Sequence, residues 1–417
     1  PPPPPPPPPH TPPPPPHHPH TFPPRRSSDL VRIYGLLILI AAVISCKDSS
    51  EELKNSTPSQ TYSESYSPPA FENDNRVDYL KNLAPKIQEL MEKHAKDDHI
   101  PGISYGVVVD NELIISSSVG IKNLEDQSQP TASSSFRIAS MTKSFTAMAI
   151  VKLRDEGKLS LEDPVSKYIP EMGDLEYLTS DAPAIDIENL LTMTAGFPED
   201  NPWGDRQLDE STEMLMNLVN GGISFSNASS YAYEYSNTGY ALLGQIIANI
   251  TGTTYQEYIT NQILLPLGMT ETYWEFDDIP EDQLVPGYRW EDDQWKPEPM
   301  LHDGSFGAMG GLITSINDFS KYVSFQLAAW PPRNEIDNGP VKRSSLREMQ
   351  TPQFARSYTQ GTNADGDPCT TTTGYGFGLG IHTNCDNLTW VTHGGALPGF
   401  GSNYRFYPEY GIGLMAF

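Results

Sequence analysis

The sequence is short of positive charge, of cysteine and of long apolar runs, and each shortage narrows what it can be. Only 27 Lys and Arg stand against 53 Asp and Glu, a formal net charge of -26 at pH 7. Such a chain repels phosphate backbones and anionic headgroups, so nucleic acid is not an expected partner. No Cys-x-x-Cys, His-Glu-x-x-His or phosphate-loop pattern occurs, so neither a metal nor a nucleotide is expected, and no cofactor of any kind is called for. No repeat of fixed period appears, which leaves a solenoid or propeller without support. The longest apolar run near the start, Leu36 to Ile44, is too short to cross a bilayer.

What is present changes character along the chain. Residues 1–30 hold 17 of the 40 prolines and four of the nine histidines and cannot build a core. They read as a polyproline II spacer or a translated artefact, and His17, His18 and His20 resemble a tag rather than a catalytic metal site. Residues 31–46 end in Val43-Ile44-Ser45-Cys46 and resemble a bacterial lipoprotein signal peptide, with Cys46 as the lipidated residue. The Ser/Glu/Pro-rich stretch 47–73 reads as a solvated tether. An exported lipoprotein, periplasmic or at the cell surface, touching the membrane only through its lipid, is therefore expected. Cys369 and Cys385 remain, either bridged in an oxidising compartment or two unpaired buried thiols.

From residue 74 onward the chain reads as one folded domain. Apolar spacing predicts a helix over Arg76 to Lys96 despite Pro85, then a hairpin of Ile103 to Val109 and Glu112 to Ser118 about Asp110-Asn111. A buried helix is expected from Ser140 to Glu156, ended by Gly157. Residues 159 to about 303 read as a helical insertion, with helices at Ile185 to Met193 and Tyr240 to Ile250. A further helix is expected at about Ile316 to Ala328. Strands are expected at Tyr375 to Ile381, Leu388 to Thr392, Ser402 to Tyr407 and Gly411 to Phe417, the last an apolar run that meets the chain end without a turn signal.

Three short motifs carry chemistry. Ser140-Met141-Thr142-Lys143 sets a hydroxyl and an amine one helical turn apart, and a lysine buried against an apolar helix has its pKa lowered towards neutrality, fit to take the serine proton. In Tyr235-Ser236-Asn237, a phenol near that lysine can pass a proton to a leaving group while the amide orients lysine and substrate. In His393-Gly394-Gly395, glycines let a substrate backbone lie along a strand, and the backbone NH of Ala396 can join that of Ser140 as an oxyanion hole.

In order and spacing these motifs resemble the serine β-lactamase and penicillin-binding protein superfamily, nearest its class C branch of DD-carboxypeptidases, D-aminopeptidases and esterases. The likeness extends over Phe136 to Met172, Ile185 to Arg206 with Leu190-Leu191-Thr192-Met193-Thr194-Ala195-Gly196-Phe197, Met309 to Phe319 and Gly394 to Phe417, roughly Arg76 to the end. It implies an α/β (α+β) fold, a largely antiparallel sheet flanked by helices plus a helical subdomain, with the site in the cleft between them. The final strand and C-terminal helix of that fold are expected to be missing, leaving an unpaired apolar edge. The implied activity is a serine hydrolase working through an acyl-enzyme on Ser140, its substrate a small molecule or peptide: an amide, an ester or a D-alanyl peptide. His393 stands where β-lactamases of this branch carry lysine, which points away from efficient β-lactam hydrolysis. A non-catalytic penicillin- or peptidoglycan-binding sensor and a true class C-like β-lactamase are the rival readings. Two decoys are set aside: His302-Asp303-Gly304 has no strand leading into it, and Glu213 to Asn217 resembles a class A motif but precedes Tyr235 and fits helical spacing better.

Overall fold

The computed structural model describes residues 61–71, 74–201, 203–363 and 365–417; the Pro/His head, the signal-like run with Cys46 and most of the expected tether lie outside them. The chain enters through α1 (Arg76–Asp97), then β1 (Gly102–Val109), β2 (Glu112–Gly120) and the short β3 (Phe136–Arg137), before α2 (Lys143–Asp155). Next come α3 (Ile187–Leu191), α4 (Thr212–Asn220), α5 (Asn237–Thr251) and α6 (Tyr255–Ile259), then β4 (Gly287–Glu291), β5 (Gln294–Glu298), β6 (Ile313–Thr314), α7 (Ile316–Leu327) and α8 (Arg343–Met349). The chain closes with β7 (Phe354–Thr362), β8 (Pro368–Tyr375), β9 (Gly380–Thr383), β10 (Thr389–Leu397), β11 (Phe400–Tyr407) and β12 (Ile412–Ala416).

The main sheet is built from both ends of the domain, in the order β2-β1-β12-β11-β10-β9-β8-β7. Neighbouring strands run antiparallel throughout. One face of β1 and β2 offers Ile103, Tyr105, Val107, Ile115 and Val119, over which α1 lays Leu80, Ala84, Ile87, Met91 and Ala95. This is the stripe that the sequence periodicity marks, and Tyr105 fixes the helix by donating from its hydroxyl to Gln88 Oε1 at 2.6 Å. The larger core lies on the opposite side and joins α2, α5 and α7 to the inner strands, with Phe145, Leu243, Phe319 and Tyr322 all inaccessible. Asp110 turns the β1–β2 hairpin in the left-handed region, φ 54°, where Asp and Asn are tolerated. Among the described residues no helix is long and apolar enough to cross a membrane.

Several expectations need correction. The run that ends at Phe417 is not an unpaired edge: β12 lies inside the sheet, paired with β1 on one side and β11 on the other. The region read as a helical insertion contains the β4–β5 hairpin, whose paired Trp290 and Trp295 turn about Asp292-Asp293. The strand expected at Tyr375 to Ile381 is divided between β8 and β9 by Gly376-Phe377-Gly378. Gly378 has φ 69°, and a Cβ on it would stand 2.8 Å from the Lys143 carbonyl oxygen, so the backbone turns there to clear α2. β7 and most of β8 gave no apolar alternation because β7 is exposed along nearly its whole length. The helix expected at Ile185 to Met193 is shortened to α3, capped by Asp186 accepting from Asn189 N–H at 2.8 Å and closed before Met193, whose φ is 63°.

Cys369 on β8 and Cys385, in the turn after β9, are joined as a disulfide with Cα atoms 5.2 Å apart. The bridge closes a 16-residue separation across two adjacent strands. A loop of that length is worth about 3 kcal/mol in the chain-entropy description. In denaturant without reductant neither thiol should react with a thiol reagent, and reduction should lower the unfolding midpoint; two thiols titrating before reduction would contradict the pairing.

Candidate active site

Ser140 is placed by a turn that the sheet holds from two sides. β3 pairs with β6, and Ile138 N–H donates to the Leu312 carbonyl at 3.1 Å. Ala139 then takes φ 49°, a left-handed conformation that costs a non-glycine residue of order 1 kcal/mol and clusters at functional turns. A 3-10 turn, Ala139–Thr142, follows and leads into α2. Ser140 thus sits just ahead of the helix that the sequence reading began at Ser140. From the other side Ser402 on β11 donates from its hydroxyl to the Ile138 carbonyl at 2.8 Å.

Lys143 begins α2 and has no exposed surface. Its Nζ lies 3.1 Å from Ser140 Oγ, 2.7 Å from Asn237 Oδ1 and 2.8 Å from the Met309 carbonyl oxygen. Burial lowers its pKa to about 7, the carboxylates of Asp200 and Asp205 pulling the other way. The partners then assign roles to the amine. Two of them, the Asn237 and Met309 oxygens, can only accept, so a neutral amine gives them its two N–H bonds and turns its lone pair to the Ser140 hydroxyl.

Asn237 opens α5, with Ser236 as N-cap accepting from Gly239 N–H at 3.2 Å. The carboxylate of Asp200 seats on this helix end, accepting from Asn237 N–H at 2.7 Å, Thr238 N–H at 2.7 Å and the Thr238 hydroxyl at 2.8 Å. An anion there is favoured by the helix dipole and locks the Asn237 side chain in reach of Lys143. The Asn237 amide nitrogen is in turn taken by Asn201 Oδ1. Tyr235 lies just ahead, its ring centroid 4.9 Å from Lys143 Nζ. The surrounding protein raises its phenol far above the ordinary tyrosine value, the Ser140 hydroxyl offsetting part of the shift. At neutral pH the Tyr235 phenol therefore keeps its proton.

His393 lies on β10 itself, in the row His393-Gly394-Gly395-Ala396 opposite Tyr404, Asn403, Ser402 and Gly401 of β11. Gly395 is pressed on the serine turn: a Cβ there would stand 2.2 Å from the Ile138 carbonyl oxygen. That close approach is why the motif needs glycine at this point, and it seats β10 against the Ile138-Ala139 turn that leads into Ser140. The His393 ring is 8% exposed and 6.4 Å from the Tyr235 ring, centroid to centroid. Nδ1 lies 2.6 Å from the Gly394 carbonyl oxygen, which can only accept, so Nδ1 carries the proton and Nε2 accepts from the Tyr375 hydroxyl at 3.2 Å. Burial first, then the Lys143 charge, lowers its pKa to about 4. The ring is neutral across the physiological range.

The structure therefore brings Ser140, Lys143, Tyr235, Asn237 and His393 together, with Gly394, Gly395 and Ala396 following His393 on β10. It keeps the decoys away. His302 pairs with Glu275 at 2.9 Å and stacks on Phe276, while Glu213 is exposed on α4, whose buried positions are Leu215 and Val219. Asp303, beside His302, is half-buried, with its pKa pushed up to about 7 by desolvation, and accepts from Tyr255 and Gln256. Three participants had not been singled out: the Met309 carbonyl, which no side-chain pattern marks; Asp200, far from Asn237 in sequence; and Tyr375, at the end of a strand read with the wrong bounds. Among the described residues no group of three or more His, Cys, Asp or Glu is placed to hold a metal ion. A cavity of about 690 Å³ between α1, β1 and the β4–β5 hairpin contains none of Ser140, Lys143, Tyr235, Asn237 or His393.

Comparison with known proteins agrees with this architecture. The octameric penicillin-binding protein homologue from Pyrococcus abyssi superposes with a TM-score of 0.68 at 27% identity, covering 80% of this chain and 72% of that one. A class C beta-lactamase superposes at 0.64 and 21% identity, over 83% of this chain and 93% of that one, a likeness of fold alone. Among curated sequences, Protein flp of Staphylococcus aureus (strain NCTC 8325 / PS 47) is 30% identical over 342 residues, 79% of this chain and 62% of that protein. Beta-lactamase-like protein 2 of Dictyostelium discoideum is 28% identical over 392 residues, 91% of this chain and 64% of that protein. The chain spans less than two thirds of the length of both curated relatives. The family model described as Beta-lactamase matches residues 84–417, most of the chain, and the chain belongs to that family.

Proposed function

We propose that this protein is a serine hydrolase that forms a covalent acyl-enzyme on Ser140 and releases the acid by hydrolysis. One observation carries the reading: a fully buried amine, Lys143, held by two acceptor oxygens with the Ser140 hydroxyl as its third partner at 3.1 Å. Neutral Lys143 takes the proton as Ser140 Oγ bonds to the carbonyl carbon, and the backbone NH groups of Ser140 and Ala396 receive the oxyanion. As the intermediate collapses, protonated Tyr235 gives its proton to the leaving group and is reprotonated by the Lys143 ammonium. Water then attacks the ester along the reverse route. A neutral His393, bonded to Tyr375 rather than to Tyr235, leaves the strand without the fixed cation that a β-lactam carboxylate would meet, which favours an ester, amide or peptide substrate over a β-lactam. The signal-like run ending in Cys46, with the Cys369–Cys385 pair, supports an exported, lipid-anchored protein.

Three tests follow from the site. A fluorophosphonate probe should label wild-type protein stoichiometrically and leave Ser140→Ala unlabelled with its unfolding midpoint kept; a labelled, folded Ser140→Ala variant would contradict the assignment of the nucleophile. The base must be the neutral amine, so the labelling rate should fall about tenfold per unit below pH 7 and level off above it, and Lys143→Met should lower the plateau by about 10²- to 10⁴-fold. A rate independent of pH between 5 and about 9 would remove Lys143 from that role. Finally, His393→Lys should raise the efficiency on a carboxylate-bearing β-lactam relative to a neutral ester by about five- to thirtyfold. An unchanged ratio in two active proteins would show that His393 does not set the preference.

A further inference from the structure

Arg356 is the extra residue of a β-bulge. Along the β7–β8 pair, Ala355 faces Gly374 and Ser357 faces Thr373, so Arg356 has no partner across the ladder. Bulges next to active sites re-aim a side chain that regular pairing would direct elsewhere. Here the guanidinium stacks on the Tyr233 ring, 4.1 Å from its centroid. The Tyr233 ring in turn lies 5.4 Å from that of Tyr375, whose hydroxyl bonds to His393. The bulge is therefore linked to the catalytic cleft by an unbroken row of aromatic rings. It opens on a cavity of about 430 Å³ lined by Tyr231, Tyr233, Phe354, Arg356, Ser357 and Thr373.

In a chain with 53 acidic side chains, Arg356 makes no ion pair and no side-chain hydrogen bond with any described residue, whereas Arg76, Arg154 and Arg289 each find a carboxylate. A guanidinium seated on an aromatic face keeps its edge free for a planar, bidentate acceptor. The hydroxyls of Ser357 and Thr373, 2.7 Å apart across the two strands, stand beside it. We propose that Arg356, with Tyr233 as its platform, is a binding subsite for a carboxylate on the substrate, set apart from the reacting carbonyl by the Tyr233–Tyr375–His393 row. The positive charge absent at His393 is thus supplied on the far side of that row, which selects an extended acyl substrate with a distant carboxylate, such as the free end of a short peptide, over a compact bicyclic one. This specificity rests on the hydrolase reading, but carboxylate binding itself does not require turnover.

The test uses the full chain carrying Ser140→Ala, so that ligand is bound and not consumed. A short series of N-acetyl-D-alanine peptides and their C-terminal amides is titrated by calorimetry into this protein with and without Arg356→Gln. At the best length the carboxylate should bind about tenfold more tightly than the amide, a margin that Arg356→Gln abolishes, that Arg356→Lys keeps in part, and that added salt reduces. Equal affinity for carboxylate and amide, absence of binding by both, or a margin that survives Arg356→Gln would overturn the subsite. Wild-type protein, with Ser140 intact, is assayed separately for turnover of a neutral ester. A wild-type protein that does not turn over that ester refutes the hydrolase reading and leaves the binding comparison to decide on Arg356.

Discussion

The burial of one amine sets the terms for the rest of the cleft. An ammonium removed from water loses several kcal/mol of hydration unless acceptors replace it. For Lys143 they come from one local and two remote parts of the chain: Ser140 one turn before it, Asn237 at the head of α5, and the carbonyl of Met309 before β6. Each lies on a different element, so the sheet, the helical region and the Met309 turn must all be in place before the amine is satisfied. The same set of contacts that satisfies the amine holds Ser140 beside it.

The neighbouring groups are adjusted to that amine. Asp200 and Asp205 raise its proton affinity against the larger effect of burial, which leaves it close to neutral pH rather than far below. The Lys143 charge in turn helps keep His393 unprotonated, and the half-buried Tyr235 keeps its proton. The centre of the cleft is thus poised to move protons while carrying little fixed charge. The guanidinium of Arg356, unpaired among the described residues, lies outside that centre, on the bulge of β7.

The motif residues were legible because the chemistry fixes their side chains and their local spacing: Ser140 and Lys143 share one turn, and Tyr235 and Asn237 flank one N-cap. The partners that complete the site were not. A backbone carbonyl such as that of Met309 has no residue type to betray it, and Asp200 reaches α5 from a loop whose sequence carries no sign of its destination. The same division holds for the fold. α1 and α7 announced themselves through apolar periodicity, since each lays one face on the sheet, while α2 and β1, buried nearly all round, showed as dense apolar runs. The exposed β7 and the threonine-rich β8, buried only at its end, had no apolar alternation, and Gly378 bends the chain for the sake of a neighbour, the Lys143 carbonyl, that a one-dimensional pattern does not reveal. β12, read as an exposed edge, owes its place to pairing with β1 from the far end of the chain.

The central claim is that Lys143 is a neutral amine near physiological pH. Its proton is observed most directly by carbon-13 NMR of protein labelled at the lysine Cε, the Lys143 resonance being assigned by its loss in Lys143→Met and followed through a pH titration. The account predicts a midpoint of about 7, well separated from the exposed lysines. A Lys143 resonance that titrates with the others, near the ordinary lysine value of about 10.4, would contradict it.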